Sequence, residues 1–514
     1  MNATFRRAAN VTVFKAATIV FLFYLILMWR AAGIEPEVLA EEYTSAASIQ
    51  ALSDIEALRD GQMQTYYLME PGEILTISTE RAIAGIYLEF YSESAAWSVT
   101  TAAGSQYFGE YGFLHEYAQL READVKELKI IFPDGAKISE LRLFGAGALP
   151  ADVQVWNPPY ERADALLFTT HSDDEHLFFA GVLPWMAAQD YDCQVAYFCS
   201  HAQKPLRLHE QLNGLWAAGV THYPVLGVYP DYYSQSIERA VAQLAADGYT
   251  EEDFIGYQVE LLRRFKPYVV IGHDPAGEYG HGAHMLNAYA LQKAIEVSGD
   301  GEAYPQSARL YGAWDVPKTY LHLWKEQQII MNFDLPLEYF GGKTAYEMSV
   351  AGYMCHTSQH WTWFTEWLIG TKTKPLTSAA QIEYYSPCQY GLYRTTVGDD
   401  VLKNDFFEHI LFKAEPTGFP DSVIIYGESP EAQIIAEVSE FHISENYFSF
   451  LFKKEVSENF SIQEDKDAVI LDNEVSEEEH QPSVDRSYIW MTVLLTAVCG
   501  GCFVVLWKMR RNSD

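Results

Sequence analysis

The order of apolar and polar positions divides the chain into stretches of different period. Between residues 64 and 156, short alternating segments at 86–91 (IYLEFY), 128–132 and 141–144 are broken by glycine and proline. A period of two puts one face of a strand in a core and the other in water, so this region is predicted to be a β-sandwich. After Pro159 the pattern changes. Residues 165–169 (ALLFT), 193–199 (CQVAYFC) and 268–271 (YVVI) are continuous apolar runs, as in strands buried on both faces. Helix-like segments lie between them, one over about 206–218 and one over 251–265 that ends in basic residues before Lys266 and Pro267. Buried strands alternating with helices predict a parallel sheet in a Rossmann-like α/β layer, with ligands gathered at the strand ends.

Two more apolar runs lie near the termini. Residues 16–29 are uncharged, follow Arg6, Arg7 and Lys15, and precede Arg30. This run is shorter than the roughly 20 residues that span a bilayer, so a signal-peptide core competes with an anchor whose flanking cations reach the interface. Residues 488–507 are uncharged, carry Trp490 and Trp507 near their borders and are followed by Lys508, Arg510 and Arg511, which predicts a transmembrane helix. Basic residues outside both runs predict cytoplasmic termini, an extracytoplasmic body and a cell-membrane location. Residues 455–485 hold eleven acids against one base, Lys466, and are predicted to stay extended. The predicted organisation is a membrane anchor or signal-anchor (1–32), a juxtamembrane linker (33–63), the sandwich (64–158) and the α/β domain (159–400). An extension (401–454), an acidic stalk (455–487), a transmembrane helix (488–507) and a tail (508–514) complete it.

Composition narrows the partners. Among 514 residues, 35 Lys and Arg face 70 Asp and Glu, a formal net charge of -35, which argues against nucleic acid as the main partner. Six cysteines are too few for a disulfide scaffold and form no close CxxC pair outside the last apolar run, leaving room for one or two disulfides. No GxGxxG, GxxxxGK[ST] or GxSxG follows a predicted strand, so the usual dinucleotide, P-loop and serine-hydrolase signals are missing.

The chemistry-bearing residues stand at the predicted strand ends. After the first run comes Thr170-His171-Ser172-Asp173-Asp174-Glu175. A tight turn there points His171 and Asp174 at one spot with Asp173 beside it, as is needed when a carboxylate outside the metal shell acts on water. After the third run comes HDPAGEYGHGAH, residues 273–284, in which His281 and His284 share a face if a helix begins there. A catalytic zinc takes three protein ligands and keeps one position open, and His171, Asp174 and His284 offer nitrogen, oxygen and nitrogen donors.

THSDDE and GEYGHGAH resemble the AHPDDE and GxYGHxxH motifs of the PIG-L/LmbE family of zinc-dependent de-N-acetylases. RLHEQLNGLWAAG, with Arg207 and Glu210, is similar to that family's R-x-x-E helix, and the resemblance extends over about 163–398. It implies zinc held by His171, Asp174 and His284, Asp173 as general base and His281 as the acid that protonates the leaving amine. It further implies Tyr279 as oxyanion donor, with Arg207 and Glu210 at the substrate. Ser172 stands where the family has proline, which would loosen the loop, and Ala283 where several members have aspartate, which puts the tuning of His281 in doubt; Asp274 is another candidate to orient a histidine. The implied activity is removal of acetyl from an N-acetylglucosamine-type sugar in a glycan or glycolipid. The alternatives are a zinc amidase acting on another N-acyl compound and a non-catalytic glycan-binding surface protein. Residues 138–156 resemble the last strands of galactose-binding-like, discoidin-type sandwiches, so the sandwich either binds carbohydrate or only packs on its neighbour.

Overall fold

The computed structural model describes residues 38–412 except Glu93. Its first part is built from antiparallel strands. Five of them, β1 (Ser48–Gln50), β3 (Ile74–Ile83), β5 (Trp97–Thr101), β6 (Gly104–Phe108) and β8 (Val125–Ile131), form one sheet in the order β1-β3-β8-β5-β6. A second sheet runs β2-β9-β4-β7, from β2 (Tyr67–Met69), β4 (Gly85–Phe90), β7 (His115–Gln119) and β9 (Ala136–Phe144). The sheets meet where Phe132 packs edge-on to Phe90 of β4, centroids 5.8 Å apart, and stacks on Trp97 of β5 at 5.6 Å. The segment 38–63, expected as a linker, belongs to this part: β1 pairs with β3, and Leu58 is fully buried in its core.

The second part is the α/β layer. Strands β10 (Ala165–Thr169), β11 (Cys193–Tyr197), β14 (Val269–Gly272) and β15 (Lys318–His322) run parallel, and every residue in them is buried. The sheet order is β11-β10-β14-β15-β19-β16, with β19 (Gln389–Thr395) antiparallel to both β15 and the edge strand β16 (Gln328–Ile330). Short pairs β12 (Cys199–Ser200) with β13 (Tyr229–Pro230), and β17 (Gly370–Thr371) with β18 (Lys374–Pro375), lie outside this sheet. Helices α1 (Val182–Ala188), α2 (Pro205–Ala217), α3 (Ile237–Ala246), α4 (Glu251–Phe265) and α5 (Gly282–Val297) come before β15, as does α6 (Pro305–Tyr311); α7 (Ala345–Tyr353) and α8 (Trp363–Ile369) follow it. The chain leaves β10 to one side for β11 and returns on the other for β14. The strand order therefore reverses at β10 and β14, and such a switch point opens a crevice at the strand ends.

Lys318 can sit inside β15 because its ammonium pairs with buried Asp400 and donates to Glu408 O at 2.9 Å. Phe406 packs on Tyr320 at 5.2 Å and Phe407 stacks on Tyr191 at 4.0 Å, so residues to 412 continue the α/β part past the expected boundary at 400. The two parts join at α2 and in the segment after it: His115 Nε2 lies 2.8 Å from His209 Nδ1 of the helix, and Phe113 stacks on Tyr223 beyond it at 4.5 Å.

The expected membrane location does not stand. No helix among the described residues is long and apolar enough to cross a membrane. The runs at 16–29 and 488–507 and the acidic stalk lie outside the described residues. The four described cysteines, Cys193, Cys199, Cys355 and Cys388, are all free.

Candidate metal centre and active site

Strand β10 delivers its turn directly into the switch point. His171 N donates to Asp174 Oδ2 at 2.7 Å, closing the turn, and Asp173 is held at φ 144°, a left-handed conformation that is strained for a side chain with a Cβ. From the other loop, His281 caps α5 by accepting the Ala283 N–H at Nδ1, and His284 lies in the first turn. Three donor atoms then converge. His171 Nδ1 is 3.2 Å from Asp174 Oδ2 and 3.0 Å from His284 Nε2, and His284 Nε2 is 3.2 Å from Asp174 Oδ2. A tetrahedral zinc with bonds of 2.0–2.2 Å requires donors about 3.3 Å apart, so these residues fit the ion.

Each of these histidines is backed by a carboxylate. Glu278 Oε2 lies 2.7 Å from His284 Nδ1 and 2.8 Å from His273 Nδ1, and its Oε1 is 2.7 Å from His322 Nδ1. Asp231 Oδ1 is 3.4 Å from His171 Nε2. Carboxylates behind ligating imidazoles fix ring orientation and strengthen the donor. Burial opposes the charge on Asp174 and Glu278, but the surrounding histidines hold both well below the usual carboxylate range.

Asp173 differs. Burial lifts it to about 6 against the lowering effect of Arg207, with Asp174 adding to the rise. Arg207 Nη2 is 3.5 Å from Asp173 Oδ1 and donates to Ser172 O at 2.6 Å. Ser172 does not loosen the loop. Its N–H donates to His201 Nε2 at 3.2 Å and its hydroxyl to Arg207 O at 2.9 Å, and proline has neither group.

The remaining candidates separate. Tyr279, at φ 45°, has its ring 5.5 Å from that of His281 and 5.6 Å from that of His284, and burial raises its phenol pKa, so it stands there as a neutral donor. Glu210 is engaged within the protein: it accepts from Thr357 Oγ1 at 2.8 Å and from Ser358 N and Oγ at 2.7 and 2.5 Å, tying α2 to the turn at 357–359. Asp274 Oδ1 accepts the Ala276 N–H at 3.0 Å instead of orienting a histidine. The sequence reading did not assign Glu278, His273, Asp231 or His322. Glu278 and His273 lie inside the GEYGHGAH segment and its lead-in, whereas Asp231 and His322 carry no local signal and arrive through β13 and β15. Two exposed rings edge the site: Tyr233, 5.2 Å from His281, and Trp363, 5.9 Å from Tyr279.

Residues 166–295 match the family model described as GlcNAc-PI de-N-acetylase, PIG-L. Over 69 residues, 13% of this chain and 24% of the other, the chain is 38% identical to 1D-myo-inositol 2-acetamido-2-deoxy-alpha-D-glucopyranoside deacetylase 2 of Saccharopolyspora erythraea. Over 122 residues, 23% of this chain and 40% of the other, it is 29% identical to the deacetylase of the same description from Streptomyces avermitilis. The chain thus spans well under half the length of these relatives. Among solved structures, N,N'-diacetylchitobiose deacetylase from Pyrococcus horikoshii aligns with a TM-score of 0.34 and 15% identity, covering 46% of this chain and 85% of that one.

Proposed function

We propose that this chain, which carries a PIG-L domain over residues 166–295, is a zinc-dependent hydrolase that removes the acetyl group from the nitrogen of a 2-acetamido sugar. The observation that carries this reading is the triangle of donors from His171, Asp174 and His284, 3.0 to 3.2 Å on a side, with Asp173 next to it in the chain. When bound, zinc supplies Lewis acidity for the amide carbonyl and for the attacking water.

The side chains do the rest. Asp173 takes a proton from the water that attacks the carbonyl carbon, and the neutral Tyr279 phenol donates to the oxygen that gains negative charge. Breaking the carbon–nitrogen bond gives acetate, and the amine leaves with a proton. His281 is poorly suited to supply that proton. Its Nδ1 already accepts the Ala283 N–H, so an imidazolium would set two donors against each other. His281 therefore serves as an Nε2–H donor to the substrate, and protonated Asp173 returns its proton to the amine. Arg207 holds Asp173 and the Ser172 carbonyl in place. Tyr233 and Trp363 offer aromatic faces to the apolar face of a sugar ring, which favours a sugar over another N-acyl compound.

The test is acetate release by the full chain from N-acetylglucosamine and its oligomers, before and after chelation and with zinc restored. Release that chelator abolishes and zinc restores supports the reading. A zinc-loaded protein that releases no acetate from these sugars, yet hydrolyses another N-acyl amide, overturns the sugar assignment.

A further inference from the structure

A second set of ligating side chains, Glu175, His176 and His356, takes no part in the chemistry above. All three are fully buried. One ligand atom of each lies within 4.8 Å of the others: Glu175 Oε1 is 3.6 Å from His176 Nε2 and 3.8 Å from His356 Nε2, and the imidazole centroids are 5.6 Å apart. Among the described residues, all four imidazole nitrogens lack a hydrogen-bond partner, and Glu175 Oε1 has none at full hydrogen-bond geometry, with the Tyr197 hydroxyl the polar group beside the carboxyl. Native interiors rarely leave so many buried polar atoms unpaired in one place.

The fold also clears room for this group. A Cβ on Gly214 of α2 would lie 2.7 Å from His176 Nε2 and 2.8 Å from His356 Nε2, and one on Gly352 of α7 would lie 2.4 Å from His176 Cε1. Two helices thus give up side chains where the two rings meet. A buried carboxyl oxygen that faces two imidazoles with free lone pairs completes a donor set that borderline divalent ions accept.

We propose that Glu175, His176 and His356 form a second site, for a zinc-type divalent ion, that steadies the loop presenting Asp173. The link is Glu175 itself: its Oε2 accepts the Asp173 N–H at 3.0 Å, while Oε1 turns to the imidazoles. The two edges from Glu175 Oε1 need to close by about 0.3 and 0.5 Å to reach tetrahedral spacing of about 3.3 Å, and the third edge lies within 4.8 Å.

The test is zinc content of the full chain after metal stripping, saturation with zinc and removal of free ion, joined to anomalous diffraction from wild-type crystals at the zinc edge. Wild type is expected to give an anomalous peak between Glu175, His176 and His356 beside the peak at His284. His356→Gln should lose one zinc per chain relative to wild type, and His284→Ala should lose a different one. An ordered water or no density at the first position overturns the proposal, as does a His356→Gln protein that keeps the wild-type zinc content. Should His356→Gln fail to fold, the wild-type diffraction decides alone. Failure here leaves the donor triangle at His284 untouched, because that peak is read separately.

Discussion

Asp173 is the residue on which the proposed chemistry turns, and its surroundings suit a base. Burial raises its pKa to about 6, near the range where a carboxylate both accepts and returns a proton readily. Asp173→Asn should lower kcat by roughly 10²–10⁴-fold and leave the zinc content measured by elemental analysis equal to wild type. A variant that turns over at the wild-type rate would remove Asp173 from the mechanism. His281 separates two roles. If it acts as an Nε2–H donor, His281→Gln should retain much more kcat than His281→Phe; equal losses in both would return it to the acid role that the motif implies. The proposed ligands and the proposed base were legible in the sequence because they sit in two short motifs at strand ends. The role of Ser172 was not, because its value lies in bonds to His201 and Arg207, about 30 residues further along the chain.

At the scale of elements, Glu278 joins three pieces of the fold: His273 after β14, His284 on α5 and His322 at the end of β15. Glu278→Gln keeps the shape but leaves His284 Nδ1 without a carboxylate, so zinc affinity measured by competition with a chelator should weaken by roughly 10–100-fold. Unchanged affinity would mean that the triad orients nothing. In the first part, Glu89 of β4 stands directly opposite Glu140 of β9. Burial first, and then the facing carboxylate, raise Glu89 to about 7; burial also raises Glu140 to about 7. A carboxyl whose folded pKa lies above its unfolded value near 4.5 favours the fold at low pH, and that contribution is lost as pH rises through about 7. Glu89→Gln should therefore melt higher than wild type at pH 8 and show no such advantage at pH 5, read by calorimetry; an equal shift at both pH values would exclude the charge argument. The buried strands β10, β11 and β14 were legible from their apolar runs to within a residue or two. The pairing of β1 with β3 was not, since three residues carry too little periodicity to register.

For the whole molecule, the open question is whether the antiparallel part serves as a separate contact for polymer or as a wall of the enzyme. Its contacts favour the wall. Tyr87 OH lies 2.8 Å from His115 Nδ1, and His115 Nε2 lies 2.8 Å from His209 Nδ1, so a buried chain of polar atoms runs from β4 into α2. Burial keeps both imidazoles neutral, pushing His209 down to about 4 and His115 well below its usual value. His209 stands between Arg207, which braces Asp173, and Glu210, which clasps the turn at 357–359. A chain that begins at Ala148 would uncover His209 and the face of Tyr223 that Phe113 stacks on. Burying an aromatic side chain contributes about 1.5–3 kcal/mol, so losing the Phe113–Tyr223 stack and the His115–His209 bond weakens the support of the helix that carries Arg207. The shortened chain is therefore expected to melt lower than the full chain and to have reduced kcat on monomeric N-acetylglucosamine, a substrate too small to need a second contact. If kcat on the monomer is unchanged while KM rises only for long oligomers, the antiparallel part is a polymer-binding module and its contact with α2 is incidental.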